Sequence, residues 1–239
     1  VNEDQLAEVL APFLHRAQLA NAVTAFVTCM AGIMPVWFTL ILGRQPPRWQ
    51  FVYWCIVITA IPTVWYHAYE QNHVAQAIDT GSNIVLAWAM QIAVTGDFSR
   101  RKNRRILLTV STALNAFIFL YMAWETVSGQ KRPLISFGES GFFWASEVAL
   151  IANSLVVAFL FCLHHRQVPR VAKPLLYTVL FLFVVGAYLS TAKGDYVTFR
   201  IVAWHATWHI LSGCGLITLW LFNYVRFSEA PGDLNDARA

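Results

Sequence analysis

Charge is what this chain of 239 residues has least of: only 13% are Asp, Glu, Lys or Arg, about half the share of roughly 25% in a soluble domain. So few charges cannot cover a water-facing surface, and a soluble globular fold is excluded. Cysteine is scarce as well. Cys29, Cys55, Cys162 and Cys214 all fall inside apolar stretches and form no CxxC pair, which excludes a disulfide framework. The first residues, Val1 to Arg16, include Glu3, Asp4 and Glu8 and no basic run ahead of an apolar core, which argues against a cleaved signal peptide. The last apolar block contains no lysine, so a retinal Schiff base has no anchor there.

What the chain does have is apolar length. Hydrophobic residues make up 57%, and they gather into blocks of about 20, the length a helix needs to cross a hydrocarbon core of roughly 30 Å. Seven blocks follow one another: 17–43, 51–70, 79–96, 106–124, 141–163, 174–191 and 199–227. Breakers separate them, among them Pro46 and Pro47, the basic run from Ser99 to Arg105, and a loop rich in Gly, Ser and Pro from Ser128 to Ser140. The expected fold is all-α, a seven-transmembrane helix bundle (17–227). A short amphipathic segment (1–16) is expected to precede it at the membrane surface, with Leu6, Val9, Leu10, Phe13 and Leu14 on one face. A polar, disordered tail (228–239) is expected to follow.

Basic residues set an expected orientation. With seven crossings, one side of the membrane collects Arg44, Arg48, the cluster from Arg100 to Arg105, then Arg166, Arg170, Lys173, Arg226 and Arg238, twelve of the seventeen Lys and Arg. The other side holds Arg16, Lys131, Arg132, Lys193 and Arg200. The excess belongs in the cytoplasm, so the N-terminus is expected to be extracytoplasmic and the C-terminus cytoplasmic. The net charge of +4 then marks topology and implies no nucleic-acid partner.

Ionisable residues at membrane depth cost several kcal/mol unless paired or watered, so each is a functional candidate. His67 lies near the end of the second block, Asp79 opens the third, and His205 and His209 sit four apart early in the seventh. Residues four apart share a helix face, so the last two can address one centre, and Thr63 lies over the face of His67. Alternating chain direction puts all five groups in the outer half of the bundle. Three imidazoles there match a zinc site that keeps one position for water. Asp79 could then accept the water's proton and Thr63 could bond a developing oxyanion. Spacing by itself is weak, because a membrane histidine is more often a helix-helix hydrogen-bonding group. Glu147, inside the fifth block, is a further candidate, as a proton-coupled acid or a buried hydrogen-bonded one. His164 and His165 read as a headgroup-facing pair, Glu125 and Glu139 as solvated, and Glu70 and His73 as possible neighbours of the site.

Thr63-x3-His67, then Asp79, then His205-Ala-Thr-Trp-His209 resemble the pattern of the CREST superfamily of seven-span metal hydrolases, which groups alkaline ceramidases, adiponectin-type receptors, GPI-processing phospholipases and myomaker. The family places a Ser four residues before a His in the second span, an Asp at the third, and HxxxH in the seventh. Thr63 stands where the family has Ser, and Val1 to Arg16 does not look like the calcium-binding start of the alkaline ceramidases. The run Thr95-Gly96-Asp97-Phe98 looks more like the myomaker and phospholipase branch. The resemblance implies Zn2+ held by His67, His205 and His209, with Asp79 and Thr63 around the water. The expected function is a zinc-dependent integral-membrane hydrolase, ceramidase-like or phospholipase-like, that cleaves an amide or ester bond of a lipid drawn from the bilayer. A myomaker-like remodelling protein or a receptor with a structural zinc is the alternative, and a transporter with Glu147 in a proton path is a third class.

Overall fold

The computed structural model describes residues 3–43, 45–69, 73–130, 132–137, 141–191 and 204–228, with backbone alone at 3–18, 137, 141–142, 190–191 and 204. Seven helices dominate it: α1 (Glu3–Leu42), α2 (Pro47–Ala68), α3 (His73–Phe98), α4 (Arg101–Ser128), α5 (Ala145–Leu163), α6 (Lys173–Thr191) and α7 (Trp204–Ser228). Six of them are long and apolar enough to cross a membrane, and α3 is the exception. The chain therefore has the build of a multi-pass membrane protein.

Local chemistry sets the ends. Gly43, at φ 58°, stops α1, where its N–H bonds Thr39 O at 2.9 Å. Proline opens α2, where a missing N–H costs least. Only Ser99 and Arg100 separate α3 from α4. Helices α2, α3 and α4 all begin four to six residues before the apolar blocks do, because helical hydrogen bonding continues through charged residues that end a hydropathy run. The expected loop before α5 contains an antiparallel hairpin, β1 (Ile135–Phe137) and β2 (Gly141–Phe143), with Ile135 opposite Phe143. No break sets 3–16 apart, since α1 is one continuous helix from Glu3; residues 1–2 and the tail 229–239 lie outside the described residues.

Helices adjacent in sequence pack together from α1 through α5, and α6 packs on α7. α1 lies against both α2 and α7, α6 against α7, and α3 against α2, α4 and α5. Two glycines permit the approach of α1: a Cβ on Gly32 would lie 2.7 Å from the backbone nitrogen of Val57 in α2, and one on Gly213 would lie 2.8 Å from Val27 Cγ1. One core, built around Trp49, Tyr53, Ile56, Phe161 and Phe222, joins six helices, and α4 meets a second around Ile84 and Ile118. Deep in that flank Asn115 of α4 and Asn153 of α5 exchange amide hydrogen bonds at 3.2 and 2.9 Å, which satisfies two buried polar side chains against each other.

Candidate metal centre

The last turn of α2 and the start of α7 meet at one end of the bundle. His67 sits in the last turn of α2, and His205 and His209 lie one turn apart at the start of α7. Their nitrogen atoms come within 4.8 Å of one another, and His67 and His209 are buried. Zinc–nitrogen bonds of about 2.0–2.1 Å, extended by about 1.15 Å to each ring centre, put tetrahedrally arranged imidazole centroids about 5.2 Å apart. The observed triangle has that size: 4.8 Å from His205 to His209, 5.0 Å from His67 to His205 and 5.2 Å from His67 to His209. Nδ1 of His209 is moreover buried with no hydrogen-bond partner among the described residues, a cost that a coordinated cation would remove. The residues present fit a zinc ion.

Comparisons with protein-family models, with curated proteins and with solved structures each find no match. The chemistry must be read from the chain itself.

One turn along α2 from His67, Thr63 faces α3 and bonds Asp79 Oδ1 at 2.5 Å. The same hydroxyl lies 2.9 Å from Thr59 O, so one proton serves two acceptors. Asn83 donates to the backbone oxygen of Asp79 at 3.0 Å and, more distantly, to Oδ1 at 3.3 Å. Thr59 continues the seam by bonding Ser82 O at 3.2 Å. Asp79 lies two turns inside α3, where the sequence had it opening the span. Its carboxylate is not one of the atoms grouped within 4.8 Å. Its described partners are the Thr63 hydroxyl and the Asn83 amide.

Other candidates fall elsewhere. Glu147 is exposed in the first turn of α5, where it accepts the Trp144 N–H at 2.9 Å, so its carboxylate serves as a helix cap. His165 bonds the Tyr177 hydroxyl at 2.6 Å, and His164 stacks on Phe98 with centroids 5.2 Å apart. Glu125 accepts the Arg132 N–H at 3.0 Å on the surface. His73 is exposed as the first residue of α3, and Glu70 and Glu139 lie outside the described residues.

Sequence reasoning missed one group. Arg226, counted among the connecting cations, is a buried residue of α7 paired with Asp97. The only signal was an acid and a base at the ends of two blocks, 129 positions apart.

Proposed function

We propose that this chain is a zinc-dependent, membrane-embedded hydrolase that cleaves an amide or ester bond of a lipid. In this reading α3 supplies a seventh crossing beside α2, the N-terminus is extracytoplasmic, the C-terminus is cytoplasmic, and the histidines lie beneath the outer headgroups. The observation that carries the reading is the triangle of His67, His205 and His209, whose dimensions suit a tetrahedral ion with one position left open. The order and spacing of those residues with Thr63 and Asp79, which resemble the CREST pattern, support it.

The three histidines would hold the ion. Zinc bound there supplies Lewis-acid activation of water for attack on an acyl carbonyl. Asp79 takes up the proton released from that water and hands it to the departing amine or alcohol. Thr63 and Asn83 keep the carboxylate aimed, because each contributes a hydrogen bond to it. The lipid class follows from depth: a site flanked by apolar helices is reached from the bilayer side.

A structural zinc clamp between α2 and α7, in a receptor or remodelling protein, is the second reading. Its support is that Asp79 is engaged by Thr63 and Asn83 rather than grouped with the histidines. One experiment separates the two. Protein purified without chelator is assayed for zinc, then incubated with a panel of ceramides and glycerophospholipids, alongside Asp79→Asn. Hydrolysis predicts zinc in both proteins and turnover reduced on the order of 100-fold or more in the variant. Zinc in both with no product from any lipid supports the clamp, and no zinc in the unaltered chain defeats both.

A further inference from the structure

The opposite end of the bundle carries a polar cluster that the proposed chemistry does not use. Asp97, in the last turn of α3, receives both ion pairs found among the described residues: Arg48 of α2 at Oδ1 and Arg226 of α7 at Oδ2, the latter at 2.6 Å. Trp49 adds its indole N–H to Oδ2 at 2.9 Å. Arg226 also donates to Asn223 Oδ1 at 2.7 Å, and Asn223 donates to the Tyr53 hydroxyl of α2 at 3.1 Å. The buried guanidinium is walled by aromatic rings, Phe227 at 4.3 Å and Phe222 at 5.1 Å among them.

The helices involved are the three that carry the histidines and Asp79, and the register is the same on each. Trp49 precedes His67 by 18 residues, Asp97 follows Asp79 by 18, and Asn223 follows His205 by 18. Eighteen residues are five full turns, or about 27 Å of axis, so each helix presents one face to both sites. The backbone of α7 packs on α1 and α6, and its links to α2 and α3 run through side chains. Apolar side chains tolerate sliding because the hydrophobic effect has no direction. Ion pairs and hydrogen bonds do not tolerate it. A buried ion pair is moreover a poor source of stability, and its best-attested use is to specify register.

We propose that Asp97, Arg226 and Asn223 form a register lock that sets α7 axially and rotationally against α2 and α3, and so holds His205 and His209 opposite His67 five turns away. These are positioning residues, and the readout in zinc affinity rests on the metal reading above. The full chain, in lipid nanodiscs, is titrated with Zn2+ against a chromophoric chelator, and its melting temperature is followed in parallel. Asp97→Asn weakens zinc on the order of tenfold or more, the loss seen when partners that orient metal ligands are removed. Arg226→Lys, which keeps the charge but not the planar fork, does the same and serves if the first variant does not fold. Asn115→Leu, which loosens α4 against α5 away from this seam, lowers the melting temperature and leaves zinc affinity unchanged. Unchanged affinity in Asp97→Asn and Arg226→Lys overturns the lock, as does an equal loss of affinity in Asn115→Leu.

Should the unaltered chain bind no zinc, the metal reading fails and the lock is judged by distance alone. Nitroxides at Tyr69, the C-cap of α2, and at Ile210 of α7, on a background with the native cysteines replaced, report the spacing of the histidine end. A shifted or broadened distance in Asp97→Asn upholds the lock, and an unchanged one overturns it.

Discussion

If the proposed zinc is bound, replacing His209 with alanine is expected to remove most of the stability it confers on this bundle. An ion that binds only the folded chain stabilises it by about 4 kcal/mol when present at 1,000 times its dissociation constant. Loss of a partner that merely orients a ligand costs 10–100-fold in affinity, so loss of an entire ligand costs at least about 100-fold. At the same zinc concentration the variant is then left about tenfold above its dissociation constant, and the gain drops to about 1.4 kcal/mol. For a chain of this length that is a zinc-induced rise in melting temperature of roughly 8–16 °C falling to roughly 3–6 °C. His209 is only 4% exposed and its ring touches both other imidazoles, so alanine also leaves a cavity that lowers the melting temperature whatever the metal content. The diagnostic quantity is thus the difference between zinc-loaded and chelator-treated protein, measured for each variant by intrinsic tryptophan fluorescence in detergent. His67→Ala gives the same collapse. His73→Ala, exposed and outside the triangle, leaves the difference intact. An equal zinc-induced rise in the unaltered chain and in His209→Ala refutes the triangle as a metal centre.

Thr63→Val keeps the shape of the side chain and deletes the hydroxyl that sits 2.5 Å from Asp79; a hydrogen bond to a charged group is worth about 1.5–3 kcal/mol, so turnover falls roughly 10–100-fold with zinc retained, and Thr63→Ser restores it. Steady-state kinetics with a zinc assay on the same samples checks both arms, and zinc loss in Thr63→Val contradicts a role confined to Asp79. Asn115→Leu strands the amide of Asn153 and costs about 1–3 kcal/mol, whereas the double variant with Asn153→Leu costs less than the two singles together; unfolding in mixed micelles measures the cycle, and strict additivity contradicts the pairing. Gly213→Val drives a branched side chain against Val27 of α1 and destabilises the bundle by about 1–3 kcal/mol in the same assay; a neutral effect means α1 and α7 are not held at this distance.

The helices were legible because a run of some 20 apolar residues needs no partner to be recognised. Their ends were less so. Arg101 to Arg105 read as a breaker, yet they form the first turns of α4, since a charged side chain at a membrane surface can leave the helix through its stem while the backbone stays bonded. The histidines were legible for a different reason: His205 and His209 share a face by spacing, and chain reversal alone puts His67 at their end. The capping role of Glu147 was not legible because the apolar block around it begins at Gly141, in what is a β-strand, so the first turn of α5 looked like its interior. The cluster at Asp97 stayed hidden for lack of any local signal. Composition reveals a charge but not its partner, and a basic residue near a block end is by default an interfacial one.

Helix α3 shows where hydropathy stops being informative. It is the one helix of the seven without a sufficiently apolar window, and the residues that dilute it include Gln76, Asp79, Ser82, Asn83, Gln91 and Asp97. These are not scattered. Asp79 bonds Thr63 of α2, the backbone oxygen of Ser82 accepts from Thr59 of α2, and Asp97 bonds Arg48, Trp49 and Arg226. A helix packed against α2, α4 and α5 exposes little to lipid, so it can carry polar groups as long as its neighbours satisfy them. An outer helix such as α4 has no such shelter and must stay apolar toward the bilayer, which is why Val110, Phe117 and Leu120 are all exposed. The scale that finds lipid-facing helices therefore passes over the one on which both the proposed chemistry and the proposed lock depend. Loss of apolarity in a helix flanked by unmistakable spans is itself a pointer to the seam where function is built.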